Sequence, residues 1–292
     1  MIKKIGYILR TMRLRQWPKN AFVFAALIFD GQLFVLDSLL VTSFAFILFS
    51  LASSLVYIIN DLSDIESDRL HPVKKHRPLA SGLLSKKMAV VSAVVLFIFV
   101  FPAAFVLNVN LGLIISGYFI LMLSYSLWLK HMPLIDVMII AAGFVLRVAA
   151  GVVIIETQRF SPWLFVATTF LALFIGLGKR RAEIKLLDNA AVSHRRVLEG
   201  YSLDFLDQLI TIVLSTTLMT YCLYTFSSPI SPDNHSMMLT IPFVIYGLLR
   251  YLYLIRMKHI GGAPEEIVLT DRPMQIAVAL WGLTVILIIY FR

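Results

Sequence analysis

Ser50, Ser54, Tyr57, Asp61, Asp64 and Asp68 follow one another at spacings of four, three, four, three and four, with Asn60 beside them. Residues three or four apart share one face of a helix, so the spacing predicts a polar stripe ending in three carboxylates that project together. Carboxylates held so close raise one another's pKa unless a cation lies among them. Hard oxygen donors with open positions suit Mg2+, which keeps several waters and shares its shell with substrate phosphates. Basic residues follow at once: Arg69, Lys74, Lys75, Arg77, Lys86 and Lys87. The pattern reads as a site for a Mg2+-bound diphosphate. The competing reading is a solvated helix end whose opposite charges merely compensate; the helical spacing and Asn60 favour the metal. His71-Pro72 should end the helix, since the residue before proline avoids the helical region. The turn HPVKKHRP then presents Lys74, Lys75 and Arg77, and Arg77 is the best phosphate candidate because guanidinium grips phosphate oxygens in pairs.

These residues sit in a chain of 292 residues, 59% apolar and 15% charged, with a mean hydropathy of +0.86. Soluble domains carry roughly 25% charged residues. The expected fold is all-α and polytopic, with nine apolar spans near residues 20–37, 38–59, 87–107, 109–129, 133–155, 161–178, 203–226, 237–255 and 274–291. Each approaches the roughly 17–25 residues that cross a bilayer as a helix. With the N-terminus inside, 22 of the 26 Lys and Arg fall on that side; Arg159 and Arg292 face the other, and Arg147 and Arg250 lie within spans. That bias predicts a cytoplasmic N-terminus and cytoplasmic charged loops. Residues 1–292 read as a single integral membrane domain. Its expected parts are an interfacial segment at 1–19 and cytoplasmic substrate-binding loops at 60–87 and 179–202.

The net charge of +9 fits anionic headgroups and an anionic substrate rather than nucleic acid, because the basic residues are tied to helix ends. A lone Cys222 excludes a disulfide framework and a cysteine-ligated metal. Trp17 is expected as an interface anchor and Lys19 as a contact for a lipid phosphate. Tyr125 and Lys130 close the fourth span, and Asp136 opens the fifth, which also holds Arg147. Ionisable groups there are costly and normally face the bundle interior. Eleven residues apart, Asp136 and Arg147 are expected on one face. A second charged stretch, GLGKRRAEIKLLD, follows the sixth span as the acidic stripe follows the second, which suggests two related halves with charged loops over a common cavity. Its balance is basic, which favours phosphate clamping. Tyr201, Asp204 and Asp207 come next, Asp207 being the deeper.

The run NDLSDIESDRLHPVKKHRPLASG resembles the first acidic motif of the UbiA superfamily of intramembrane prenyltransferases and the turn after it. The resemblance covers nearly the whole chain. It implies a nine-helix bundle around a central cavity in a bacterial inner membrane, with Asn60, Asp61, Asp64 and Asp68 holding Mg2+ and the donor diphosphate. It also implies phosphate contacts from Lys74, Arg77, Lys179, Arg180 and Arg181, and a pocket shaped by Tyr125, Lys130, Asp136 and Glu183; Tyr57, Arg147, Tyr201 and Asp207 complete the candidate set. RQWPKN, HPVKKHRP and GKRRAE resemble the branch that moves a phosphoribosyl group from phosphoribosyl pyrophosphate to a polyprenyl phosphate. A second aspartate-rich motif is missing, which leaves one or two Mg2+ open, and the oligomeric state is also open. The alternatives are prenyl transfer to an aromatic acceptor such as 4-hydroxybenzoate, and a transporter or lipid carrier. A transporter would place its key charges at mid-membrane on broken helices.

Overall fold

A computed structural model describes residues 2–71, 73–155, 157, 161–187, 196–227, 235–258, 267–268 and 270–291. Every long element in it is a helix: α1 (Ile2–Thr11), α2 (Phe24–Phe29), α3 (Leu36–Ser63), α4 (Ile65–Leu70), α5 (Lys86–Leu107), α6 (Val109–Leu127), α7 (Ile135–Ile154), α8 (Pro162–Leu187), α9 (Leu203–Ser227), α10 (Ile241–Met257) and α11 (Arg272–Tyr290). Short polar side chains set several starts. Ser85 accepts from the Met88 N–H, Asn108 from Leu111 and Asp271 from Met274, each satisfying a donor the first helical turn leaves open.

Eight helices among the described residues are long and apolar enough to cross a bilayer, so this is a multi-pass integral membrane protein. The span expected at 20–37 is the exception. It is a 3-10 helix, Leu14–Val23, followed by the six-residue α2 and a turn. Apolar composition announced a span; Pro18 inside it and side chains bonded to α3 give it another backbone. Laid end to end, the 3-10 helix and α2 reach about 29 Å, close to the thickness of a bilayer core. The stretch expected as a loop at 179–202 is helical through Leu187, and α3 likewise runs on to Ser63. Asp188 and the connections at 188–195 and 259–266 lie outside the described residues.

The chain divides into two compact units. Met1–Leu27, Val35–Leu129 and Leu146–Glu156 form the first; Ile28–Phe34, Lys130–Val145 and Thr157–Arg292 form the second. In the first, Met12, Leu55, Ile58, Ile65, Leu79 and Ala93 make a core. The outward side of α5 carries exposed Val90, Val94, Phe97 and Ile98, the signature of a face solvated by lipid. In the second, Phe174, Leu206, Ile210 and Ile255 pack α8, α9 and α10 together.

Candidate active site

In the first unit the stripe on α3 faces the N-terminal segment, which runs antiparallel beside it. Asn20 donates to Ser50 (2.9 Å), Trp17 to Ser54 (3.1 Å), and Arg13 to Asp61 (2.5 Å) while its guanidinium lies 4.7 Å above the Tyr57 ring. Trp17 is therefore packed against α3. Arg77 comes from the turn after α4, and its Nη1 donates to Asp61 Oδ1 (3.2 Å) and Asp68 Oδ2 (2.6 Å). Asp61 and Asp68 are both 2% exposed. Asp64 falls at the break between α3 and α4 and accepts from the Asn60 amide at 3.2 Å. Buried carboxylates demand compensation, and two guanidinium groups, one from the N-terminal segment and one from the turn after α4, supply it. Arg13 was missed by sequence reasoning. Forty-eight residues from Asp61, it looks like any other positive charge on the cytoplasmic side.

As expected, α4 ends before His71-Pro72. His71 Nδ1 accepts from the backbone N–H groups of Val73 and Lys74, both at 3.2 Å, which requires that nitrogen to be unprotonated. Partial burial, and then the Lys74 charge, hold its pKa below the ordinary value. Lys74 is exposed on the same turn; Lys19, on the 3-10 helix, and Tyr125, on α6, are half-buried.

Asp136 and Arg147, expected on one face of α7, have separate partners. Arg147 belongs to the first unit, where Nε donates to Asn20 (2.7 Å) and Nη2 to Tyr118 (3.1 Å), between the rings of Phe49 and Tyr118. Asp136 belongs to the second unit and is fully buried. It accepts from Arg180 (2.6 Å) and from Tyr201 (2.7 Å), whose hydroxyl accepts in turn from the Leu134 N–H. Burial and the bond to Asp136 push the Tyr201 phenol above its ordinary pKa, so it stays a donor. Arg180 also binds Glu183 (2.6 Å); Arg181 binds Asp207 (2.7 Å), which Arg256 approaches at 3.2 Å. Arg180, expected as a phosphate contact, is here paired with Asp136 and Glu183. It is 1% exposed, and Arg181 bonds to Asp207. Lys130 and Lys179 are half-buried in the same unit.

Donor chemistry tests the fit to a metal. Asn60, Asp61, Asp64 and Asp68 offer hard oxygens on one stretch, and the cation between Asp61 and Asp68 in this structure is Arg77. Among the described residues no three carboxylate, histidine or cysteine side chains form a ready cage. A Mg2+ that shares its shell with phosphate oxygens and water needs none, so the set fits.

A buried acidic stripe compensated by arginines lies among helices long and apolar enough to cross a membrane. Residues 21–265 match the UbiA prenyltransferase family, and the chain belongs to that family of transferases. It is 33% identical to the decaprenyl-phosphate phosphoribosyltransferase of Corynebacterium glutamicum, over 97% of this chain and 86% of that one. To the enzyme of the same name from Mycolicibacterium smegmatis it is 34% identical, over 98% and 93%. Its fold is similar to a UbiA homologue from Archaeoglobus fulgidus solved with DMAPP and Mg2+. The TM-score is 0.70 at 20% identity, over 96% of this chain and 98% of that one.

Proposed function

We propose that this protein transfers a 5-phosphoribosyl group from phosphoribosyl pyrophosphate to a polyprenyl phosphate of the decaprenyl type, releasing diphosphate. The observation that carries this reading is the identity, above 30% over nearly the whole chain, with enzymes named for that transfer. The site chemistry supports it. The acceptor's phosphate oxygen forms a bond to ribose C1 as the bond from C1 to the diphosphate oxygen breaks. That acceptor is already ionised, so no base has to remove a proton. Asn60, Asp61, Asp64 and Asp68 would hold Mg2+, which when bound neutralises charge on the leaving diphosphate.

Arg13 and Arg77, 28% and 25% exposed, are open enough to turn from carboxylate to phosphate oxygens and stabilise the same developing charge. Asn60 fixes the Asp64 carboxylate through its amide. Lys19 and Lys74 add phosphate contacts from the same unit, and Tyr57 seats Arg13. In the second unit, the Asp136, Arg180, Glu183 and Tyr201 set and the Arg181–Asp207 pair act as a rigid frame. The site would lie at the cytoplasmic face of a bacterial inner membrane, and its product would serve as an arabinose-donor precursor for an envelope glycan.

Purified protein with Mg2+, labelled phosphoribosyl pyrophosphate and a polyprenyl phosphate should give labelled lipid, and EDTA should abolish it. Label reaching lipid only from a prenyl diphosphate with 4-hydroxybenzoate overturns the assignment in favour of aromatic prenylation.

A further inference from the structure

The 3-10 helix Leu14–Val23 is ten residues long, whereas such runs seldom exceed three or four because their hydrogen bonds are poorly aligned. It starts from Arg13 in the left-handed region, at φ 54°, which costs energy for any residue with a side chain. A strained segment of this kind persists only where its surroundings over-determine it. Two faces do so. On one side are Ser50, Ser53 and Ser54 of α3: Ser54 donates to the Met12 carbonyl (3.0 Å) and accepts from Trp17, and Asn20 binds Ser50. On the other is one face of α7, where Arg147 and Gly151 stand a single turn apart. Arg147 donates to the Asn20 side chain (2.7 Å), and the backbone at Gly151 lies so close that a Cβ there would come 2.1 Å from the Val23 carbonyl oxygen. Arg147 is 7% exposed, and its guanidinium donates to Asn20 and Tyr118. Burying a guanidinium within the membrane is expensive, and such groups are best attested where they fix register.

We propose that Arg147 is a positioning residue that clamps the strap of residues 13–23, through Asn20 and with the close approach at Gly151, so that Arg13 is held on Asp61. This rests on the reading of Asp61 as part of the diphosphate site. The strap is anchored at 20 and 23 by α7 and at 12, 17 and 20 by α3, which keeps Arg13 beside Asp61. Loosening either anchor should free Arg13 from the carboxylate without altering any group that meets the ligand.

The test measures binding of inorganic pyrophosphate with Mg2+ by calorimetry, and amide exchange across residues 13–23, in the full-length protein in detergent. Arg147→Met should weaken binding about tenfold, the size expected when a residue outside a site biases it. Tyr118→Phe, a milder change, should weaken it in the same direction. Gly151→Val, which keeps Arg147 and displaces Val23, should match Arg147→Met, and all three should speed exchange at 13–23. Once Arg13→Gln is present, adding Arg147→Met should cost nothing further. Arg250→Gln, which breaks a pair elsewhere, controls for general destabilisation and should leave affinity unchanged. Wild-type affinity in Arg147→Met and Gly151→Val, or losses that simply add to that of Arg13→Gln, overturns the proposal. Should the wild type itself fail to bind Mg2+-pyrophosphate, the diphosphate reading falls; unchanged exchange at 13–23 in Arg147→Met then overturns the clamp separately.

Discussion

Asp61 takes guanidinium groups from Arg13 and Arg77 on one oxygen, and Arg77 reaches Asp61 and Asp68 through one nitrogen. Bridging two carboxylates with one nitrogen is within a lysine's means; gripping a phosphate with two parallel donors is not. Arg77→Lys should therefore keep the melting temperature in detergent and lose most Mg2+-pyrophosphate affinity. Arg77→Met should lose both, with about 2 kcal/mol of stability gone for carboxylates left short of a donor. Equal affinity in Arg77→Lys and the parent would remove Arg77 from the phosphate site. His71 gives a prediction in pH. Its folded pKa lies below the ordinary 6.5, so the unfolded chain takes up the proton first. The turn at 73–77 keeps its full stability above that value and weakens as pH falls below it. Amide exchange at Val73 and Lys74 should quicken over that range, and His71→Asn should flatten the dependence. At this scale the face of Ser50, Ser54 and Asp61 on α3 was legible from spacing, whereas Asp64 falls at the break before α4 and Arg77 links Asp68 to Asp61 across it. The partners of that face were not legible, because Arg13 and Arg77 arrive from segments whose placement depends on tertiary packing.

Among the elements, α7 shows where sequence periodicity stops informing. Asp136 and Arg147 lie three turns apart, and each has its partner on another helix. Periodicity specifies a direction from the helix axis and says nothing of what stands opposite at each depth. The 3-10 helix is the other instance: its apolar run reads as a span, and only Pro18 and Asn20 hint at a different backbone. The α7–α8 register has a sharp test. Arg180→Met would strand a fully buried Asp136, and breaking such a pair from one side costs about 3–5 kcal/mol. Asp136→Asn combined with Arg180→Met should recover a large part of that loss in a double-mutant cycle of thermal unfolding. If the double variant is as unstable as the sum of the singles, the pair carries no coupling and the register is set by apolar packing.

For the whole molecule, hydropathy made the membrane class plain, while the division of 292 residues into two compact units follows from contacts no linear pattern displays. Orientation is argued from charge. A Lys or Arg translocated across the membrane is costly, and the 22 residues expected inside against two outside predict a cytoplasmic N-terminus. The turn after α4 and the junction before α6 then lie on opposite sides, separated by α5, whose 22 residues span about 33 Å, enough to cross the bilayer core. Cys222 is the lone thiol, so Cys222→Ser gives a silent background for single cysteines. On intact cells a membrane-impermeant maleimide should label Asn110→Cys, exposed at the start of α6, and spare Lys75→Cys, exposed on the charged turn. Permeabilised cells should show both labelled. Labelling of Lys75→Cys from outside would invert the protein and place the acidic stripe away from a cytoplasmic phosphoribosyl donor. The charge argument and the proposed substrate would then fail together, since both require Asp61, Arg13 and Arg77 at the cytoplasmic end of α3.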